Sequence, residues 1–131
     1  MAKLNDAQRA FLRDNPYAGV FTTVRADGSL QATPVWVDVD GDDVLVNTRV
    51  GRAKERHLHR NQNVSLIVVD PQDMYHWVSI SGRATLDPEG AYEHINTLSH
   101  RYSGEDYSYI ENEQRVIARI DVEKVDSSGF D

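Results

Sequence analysis

The chain has 131 residues, enough for one domain (1–131) with a real core and too few for two. Its net charge of −7 disfavours general binding to nucleic acid or to an anionic membrane. It has no cysteine, which excludes disulfides, thiolate metal sites and cysteine nucleophiles; it shows no membrane-length apolar run, and no signal peptide is expected. A cytoplasmic protein is expected.

Asn5 followed by Gln8 predicts a helix N-cap with its capping-box partner. Ala7, Ala10 and Phe11 give that helix an apolar face, and Asn15-Pro16 ends it. Tyr17 to Arg25 reads as a strand, and Asp27-Gly28 as a hairpin turn. The return strand runs from Ser29 to Asp38, with Val35, Val37 and Val39 on one face and Pro34, Trp36 and Asp38 on the other. Pro34 has no N–H to donate, so it points to an edge or a bulge. Asp40-Gly41-Asp42 turns the chain into a third strand, Val44 to Thr48.

Asn47 to Asn61 comes next, and it carries five of the 14 basic residues and one of the 21 acidic ones. Arg52 to Asn61 fits a short helix, whose start adds free backbone N–H groups and a favourable dipole. An anion site and a solvated helix face are both open readings of this stretch.

The fourth strand, Val64 to Val69, is apolar on both faces and should be interior. Asp70 to Asp73 breaks it. Tyr75 to Leu86 forms the fifth strand, with His76, Val78 and Ile80 opposite Tyr75, Trp77 and Ser79; Gly82 marks a bend or bulge. Asp87-Pro88 predicts a helix start. Ala91, Ile95, Leu98 and Tyr102 recur at helical spacing, and Ser103-Gly104 ends the helix. The last strand, Arg115 to Val125, turns Val116, Ala118, Ile120 and Val122 inward, and the tail after Asp126 is expected to fray. Six strands, tight turns and three helices predict a mainly β, six-stranded antiparallel barrel with peripheral helices.

Few chemistries suit these residues. A Gly-x-Ser-x-Gly elbow, a phosphate loop and a Gly-x-Gly-x-x-Gly motif are all missing. His57 and His59 diverge on a helix, as do His94 and His100, so no metal site is expected, and most histidines are read as surface residues. Trp36, Tyr75 and Trp77 sit opposite the valine faces, outside a closed barrel. They suit a subunit interface or a flat ligand, unless the helices cover them.

Several segments carry a resemblance. They are Gly19 to Val24 with Asp27-Gly28, Gln31 to Trp36, Thr48 with Gly51 to Lys54 and Leu58, Asn61 to Leu66, and Ser79 to Ala84. In this order they resemble the pyridoxamine 5′-phosphate oxidase-like superfamily, the flavin-binding split β-barrel, over residues 11–125. Within it the chain looks like the actinobacterial branch that uses the deazaflavin coenzyme F-420. The resemblance implies a homodimer with two cofactor sites between protomers. Gln31, Thr33, Pro34, Val35 and Trp36 would lie along the ring system. Asn47, Thr48, Arg52, Ala53 and Lys54 would hold the phosphate and acidic tail. Tyr75, His76 and Trp77 would approach from the second subunit. It further implies hydride transfer from reduced F-420 to a small electron-poor acceptor, with no protein nucleophile and no catalytic residue assigned. An FMN-dependent oxidoreductase of the pyridoxamine phosphate oxidase type and a non-enzymatic cofactor or haem carrier are the alternatives. The substrate-phosphate residues of the vitamin B6 oxidases have no counterpart here.

Overall fold

The computed structural model describes residues 3–130. Helix α1 (Asp6–Asp14) begins at the predicted capping box. Asn5 Oδ1 accepts from the Gln8 amide at 2.8 Å, and Gln8 Oε1 accepts from the Asn5 amide at 2.9 Å. The helix buries Gln8, Phe11 and Leu12 with Leu4, whereas Ala7, expected inside, is exposed.

The chain continues through β1 (Gly19–Val24), β2 (Leu30–Val35), β3 (Asp38–Asp40), β4 (Asp43–Arg49), α2 (Ala53–Arg60), β5 (Asn63–Asp70), β6 (Asp73–Asp87), α3 (Ala91–Ser103) and β7 (Arg115–Ser128). The strands form one antiparallel sheet in the order β2-β1-β5-β6-β7-β4-β3. The fold is therefore mainly β with peripheral helices, as predicted, but with seven strands. The expected return strand is two strands, broken at Trp36-Val37.

That break explains the shape. β2 and β3 are the two outer edges of the sheet, yet only two residues join them. A flat sheet of this width would hold its edges about 29 Å apart at about 4.8 Å per strand. Three peptide steps reach about 11 Å at most. The sheet must curl until its edges nearly meet, and no ladder closes the seam among the described residues, so the barrel is split. Val37 lies in the joint and is fully buried, and the core of Phe21, Val44, Val46, Leu66, Val68 and Ile120 packs with it. Pro34 sits on the edge strand β2, where its missing N–H costs no ladder bond.

Two element ends differ from expectation. α3 starts at Ala91, not beside Pro88, because Gly90 takes a left-handed conformation (φ 69°) at the N-cap. Asp87 instead accepts from the Glu89 amide at 3.0 Å and closes a turn that contains Pro88. The tail is ordered past Asp126. Ser127 and Ser128 pair with Val78 and Trp77, and the Phe130 ring lies 5.3 Å from Phe11 and 4.7 Å from His76.

The histidines are less superficial than expected. His57 is buried, with Nδ1 2.8 Å from Thr23 Oγ1, while His59 points away to Glu55. Burial, then Arg25, Arg56 and Arg60, hold the His57 pKa below its ordinary value. The His94 side chain is only 10% exposed. No group of three or more His, Cys, Asp or Glu among the described residues is placed to hold a metal ion. No helix among them is long and apolar enough to cross a membrane.

Candidate functional site

The seam of the split barrel opens into a cleft of about 420 Å³. Pro34, Val35 and Trp36 reach it from β2 and the joint, Asn47 and Thr48 from β4, and Arg52 and Lys54 from the start of α2. The register makes this meeting possible. β4 leaves the barrel at Arg49, and Gly51 turns the chain (φ 97°) so that α2 begins over the mouth of the seam.

Lys54 crosses the seam, its Nζ donating to Thr33 Oγ1 at 3.1 Å. Burial, then the nearby charges of Arg52 and Arg115, lower its pKa. Arg52 is exposed at the N-cap, and its side chain makes no hydrogen bond or ion pair among the described residues. Glu55, the one acid of the stretch, is turned away. Its carboxylate accepts from the Gly51 amide at 3.0 Å and meets His59. The cations at the cleft thus keep their charge uncancelled by Glu55. The Thr48 hydroxyl is buried and has no partner among the described residues. Such an orphan costs free energy unless something else satisfies it.

Trp36 is held in place from behind. Its ring stacks on Tyr102 with centroids 5.4 Å apart and planes 17° apart. The Tyr102 hydroxyl accepts from the Val37 amide at 2.9 Å and donates to the Tyr17 carbonyl at 2.8 Å. Trp36 is therefore half-buried in the joint, not on an outer strand face as its alternation suggested. Tyr102→Phe should leave the buried Val37 amide without its acceptor, at a cost of about 1–3 kcal/mol. Denaturant unfolding checks this, and a stability within about 0.5 kcal/mol of the parent would overturn it.

Seven of the predicted site residues therefore meet at one cleft, and Thr33 touches it through Lys54. Gln31 and Ala53 flank it without lining it. Tyr75, His76 and Trp77, expected from a second subunit, do not reach the cleft of their own chain. Tyr75 is 71% exposed, and His76 packs on Phe11 at 4.6 Å. Ala18, Ile95, Tyr107 and Arg115 also line the cleft and were not predicted. Arg115 was readable only as the first residue of the last strand. The signal available for it was a cation entering a strand that neighbours β4.

A second cavity of about 690 Å³ lies beyond Arg115, between Tyr92, Glu55 and Glu113. It is the larger of the two, but two buried carboxylates make it a poor place for an anion. The Glu113 carboxylate, 1% exposed, is satisfied by Tyr107 at 2.8 Å and Arg115 at 3.2 Å.

The family model for pyridoxamine 5′-phosphate oxidase matches residues 4–129. The chain belongs to this family. Among solved structures, an F420 reductase is 25% identical, with a TM-score of 0.80 over 89% of this chain and 94% of that one. The conserved hypothetical protein Rv2991 from Mycobacterium tuberculosis is 23% identical, with a TM-score of 0.75 over 95% and 84%. HupZ from Group A Streptococcus is 18% identical, with a TM-score of 0.71 over 93% and 92%; both of these show the fold alone. No curated protein matches. The family places the chain on an oxidoreductase-type fold that takes flavin-type cofactors.

Proposed function

We propose that this member of the family binds coenzyme F-420 in the seam cleft as an oxidoreductase acting on a small electron-poor acceptor. The observation that carries the reading is the charge at the cleft. Arg52 and Lys54 converge there with Arg115, while Glu55 faces elsewhere. A phosphodiester followed by several carboxylates uses such a set better than the single phosphate of FMN. The orphaned Thr48 hydroxyl is a donor suited to a phosphate oxygen. The F420 reductase neighbour supports the same reading.

When bound, reduced F-420 supplies a hydride to an electron-poor double bond or a quinone-like acceptor. The chain supplies position. Pro34, Val35 and Trp36 give a ring system an apolar wall, and Tyr102 fixes the Trp36 plane. Arg52, Lys54 and Thr48 hold the anionic part. No general acid is assigned, and water can deliver the one proton that balances the hydride. We further propose a cytoplasmic homodimer, with Tyr75, His76 and Trp77 of each copy closing the other's cleft. The exposed Tyr75 and neighbouring Met74, 70% exposed, favour that contact.

Titration of the purified protein with F-420 and with FMN, with light scattering on the same sample, tests the reading. The expected result is a colourless preparation of about twice the 14.8 kDa chain mass that binds F-420 and, when supplied with reduced F-420, oxidises it while reducing an added quinone. A yellow preparation with a flavin spectrum would instead establish FMN. Binding of F-420 without turnover on any acceptor would make the protein a carrier.

A further inference from the structure

We propose that Arg115 is a third ligand-contacting cation of the cleft, with Asn47, His94 and Asp38 as its positioning residues. The inference rests on the cleft being an anion site, and goes beyond it by assigning a cation remote in sequence and a chain of residues behind it.

Arg115 opens β7, and its side chain is only 7% exposed. Its Nε donates to Asn47 Oδ1 at 2.8 Å. One terminal nitrogen, Nη1, donates to Glu113 at 3.2 Å and to the Tyr107 hydroxyl at 3.3 Å. The other, Nη2, makes no hydrogen bond among the described residues. A guanidinium buried this far and left with one free edge has its direction set by the groups it does bind.

Those groups are themselves fixed, end to end. Asn47 Nδ2 donates to the Ala91 carbonyl at 2.8 Å. A carbonyl only accepts, so the amide cannot be turned over. The same nitrogen lies 3.0 Å from His94 Nδ1, which must then accept. The imidazole proton therefore sits on Nε2, 3.0 Å from Asp38 Oδ2. Asn47 Oδ1 is left free to receive Arg115. Asp38 anchors the far end. Burial would raise its pKa, but hydrogen bonds from His94, the Val39 amide and Arg101 bring it down to about 2. The ring thus faces an ionised carboxylate, and four residues from β3, β4, α3 and β7 share one arrangement of protons.

The charge of Arg115 reaches the cleft, since it lowers the Lys54 pKa together with Arg52. Glu113 offsets part of that charge, so the free Nη2 edge acts mainly by direction. It would give an anionic oxygen a donor of set geometry, beside Lys54 in the first turn of α2 and the freer Arg52 at its N-cap. That oxygen belongs either to a phosphate or to a tail carboxylate.

Titration with F-420, FMN and inorganic pyrophosphate at two salt concentrations tests the assignment. Removing Arg115 alone would leave the buried Glu113 carboxylate with only the Tyr107 hydroxyl and a longer ion pair to Arg49 at 3.7 Å, a second change beside the lost cation. Arg115→Gln is therefore made in a Glu113→Gln background and compared with Glu113→Gln alone. Binding of F-420 should weaken roughly ten- to a hundredfold, with a shallower salt dependence. A matching loss for FMN and pyrophosphate identifies the contact as phosphate; a loss confined to F-420 identifies a tail carboxylate. Asn47→Leu, which keeps every cation, should also weaken binding and flatten the salt dependence. A role in folding alone would lower the melting temperature and leave the salt dependence as it was. Arg115 binding within about twofold of its background, for all three ligands, overturns the inference and leaves the cofactor reading standing. If neither cofactor binds the parent, the cofactor reading fails, and pyrophosphate alone decides Arg115.

Discussion

Arg52→Ala with Lys54→Ala is expected to abolish cofactor binding at micromolar protein while leaving the fold intact. Each side chain can make charge-assisted hydrogen bonds, which contribute about 1.5–3 kcal/mol. Each single variant should then lose roughly ten- to a hundredfold in affinity, at about 1.4 kcal/mol per factor of ten. Arg52 is exposed and should sit near the lower figure, with salt narrowing its effect further. Lys54 is half-buried and bonded across the seam to Thr33, and should sit near the upper one. Two cations on one anion interact, so the double variant need not equal the product.

The free protein should respond in the opposite sense. The Lys54 pKa is lowered by burial, Arg52 and Arg115, so its charge is held at a cost. A depressed lysine pKa means that folding is opposed while the group is protonated and is relieved as pH rises through the folded value. Lys54→Met should therefore melt no lower than the parent. Binding reverses the sign, because an anion favours protonated Lys54, and affinity should fall as pH rises through that lowered value. Isothermal titration across pH, with thermal melts, reads both effects. An affinity within about twofold of the parent would leave the basic stretch as a solvated helix face.

How much of this was legible depends on the distance in sequence between the parts. The Asn5–Gln8 capping box is local chemistry and appears as predicted. The Arg52–Lys54 pair lies beside β4 in sequence and in space, so its place followed from the strand before it. Trp36-Val37 misled, because a break that lets a strand change edges leaves the β-rich alternation intact. Its cause is the curl of the whole sheet, which no short window contains. Arg115 was harder still. It joins the site through Asn47, 68 residues earlier, and through His94 and Asp38 behind it. A polar chain drawn from four elements has no periodicity to read. Helix α3 was visible from Ala91, Ile95 and Leu98, but its start was set by the left-handed Gly90 and not by Pro88.

Gly82→Ala should lower stability sharply. A Cβ built at Gly82 would lie 2.0 Å from the Asp121 carbonyl oxygen, 3.0 Å from its carbon and 3.1 Å from the Glu123 nitrogen. All three are backbone atoms, so no side chain can swing aside. The close approach comes from a bulge in β7. Ser81 pairs with Lys124 but Gly82 with Val122, which leaves Glu123 as the extra residue. The bulge also shifts the inward phase of β7. Val116, Ala118, Ile120 and Val122 are buried before it, and Val125 packs on the core after it. One strand can thus serve both ends of a curled sheet, with Arg115 at the cleft and Ser128 beside Trp77. Overpacking usually costs about 1–3 kcal/mol, and rigid neighbours on both sides of β6 put this case at or above the top of that range. For a domain of this size the melting temperature should fall by about 10 °C or more. Because the register between Arg115 and Asp121 lies on the cleft side of the bulge, any folded fraction should also bind cofactor more weakly. A melting temperature within about 2 °C of the parent would mean that β7 can move aside, and that the bulge is not what fixes Arg115 against Asn47.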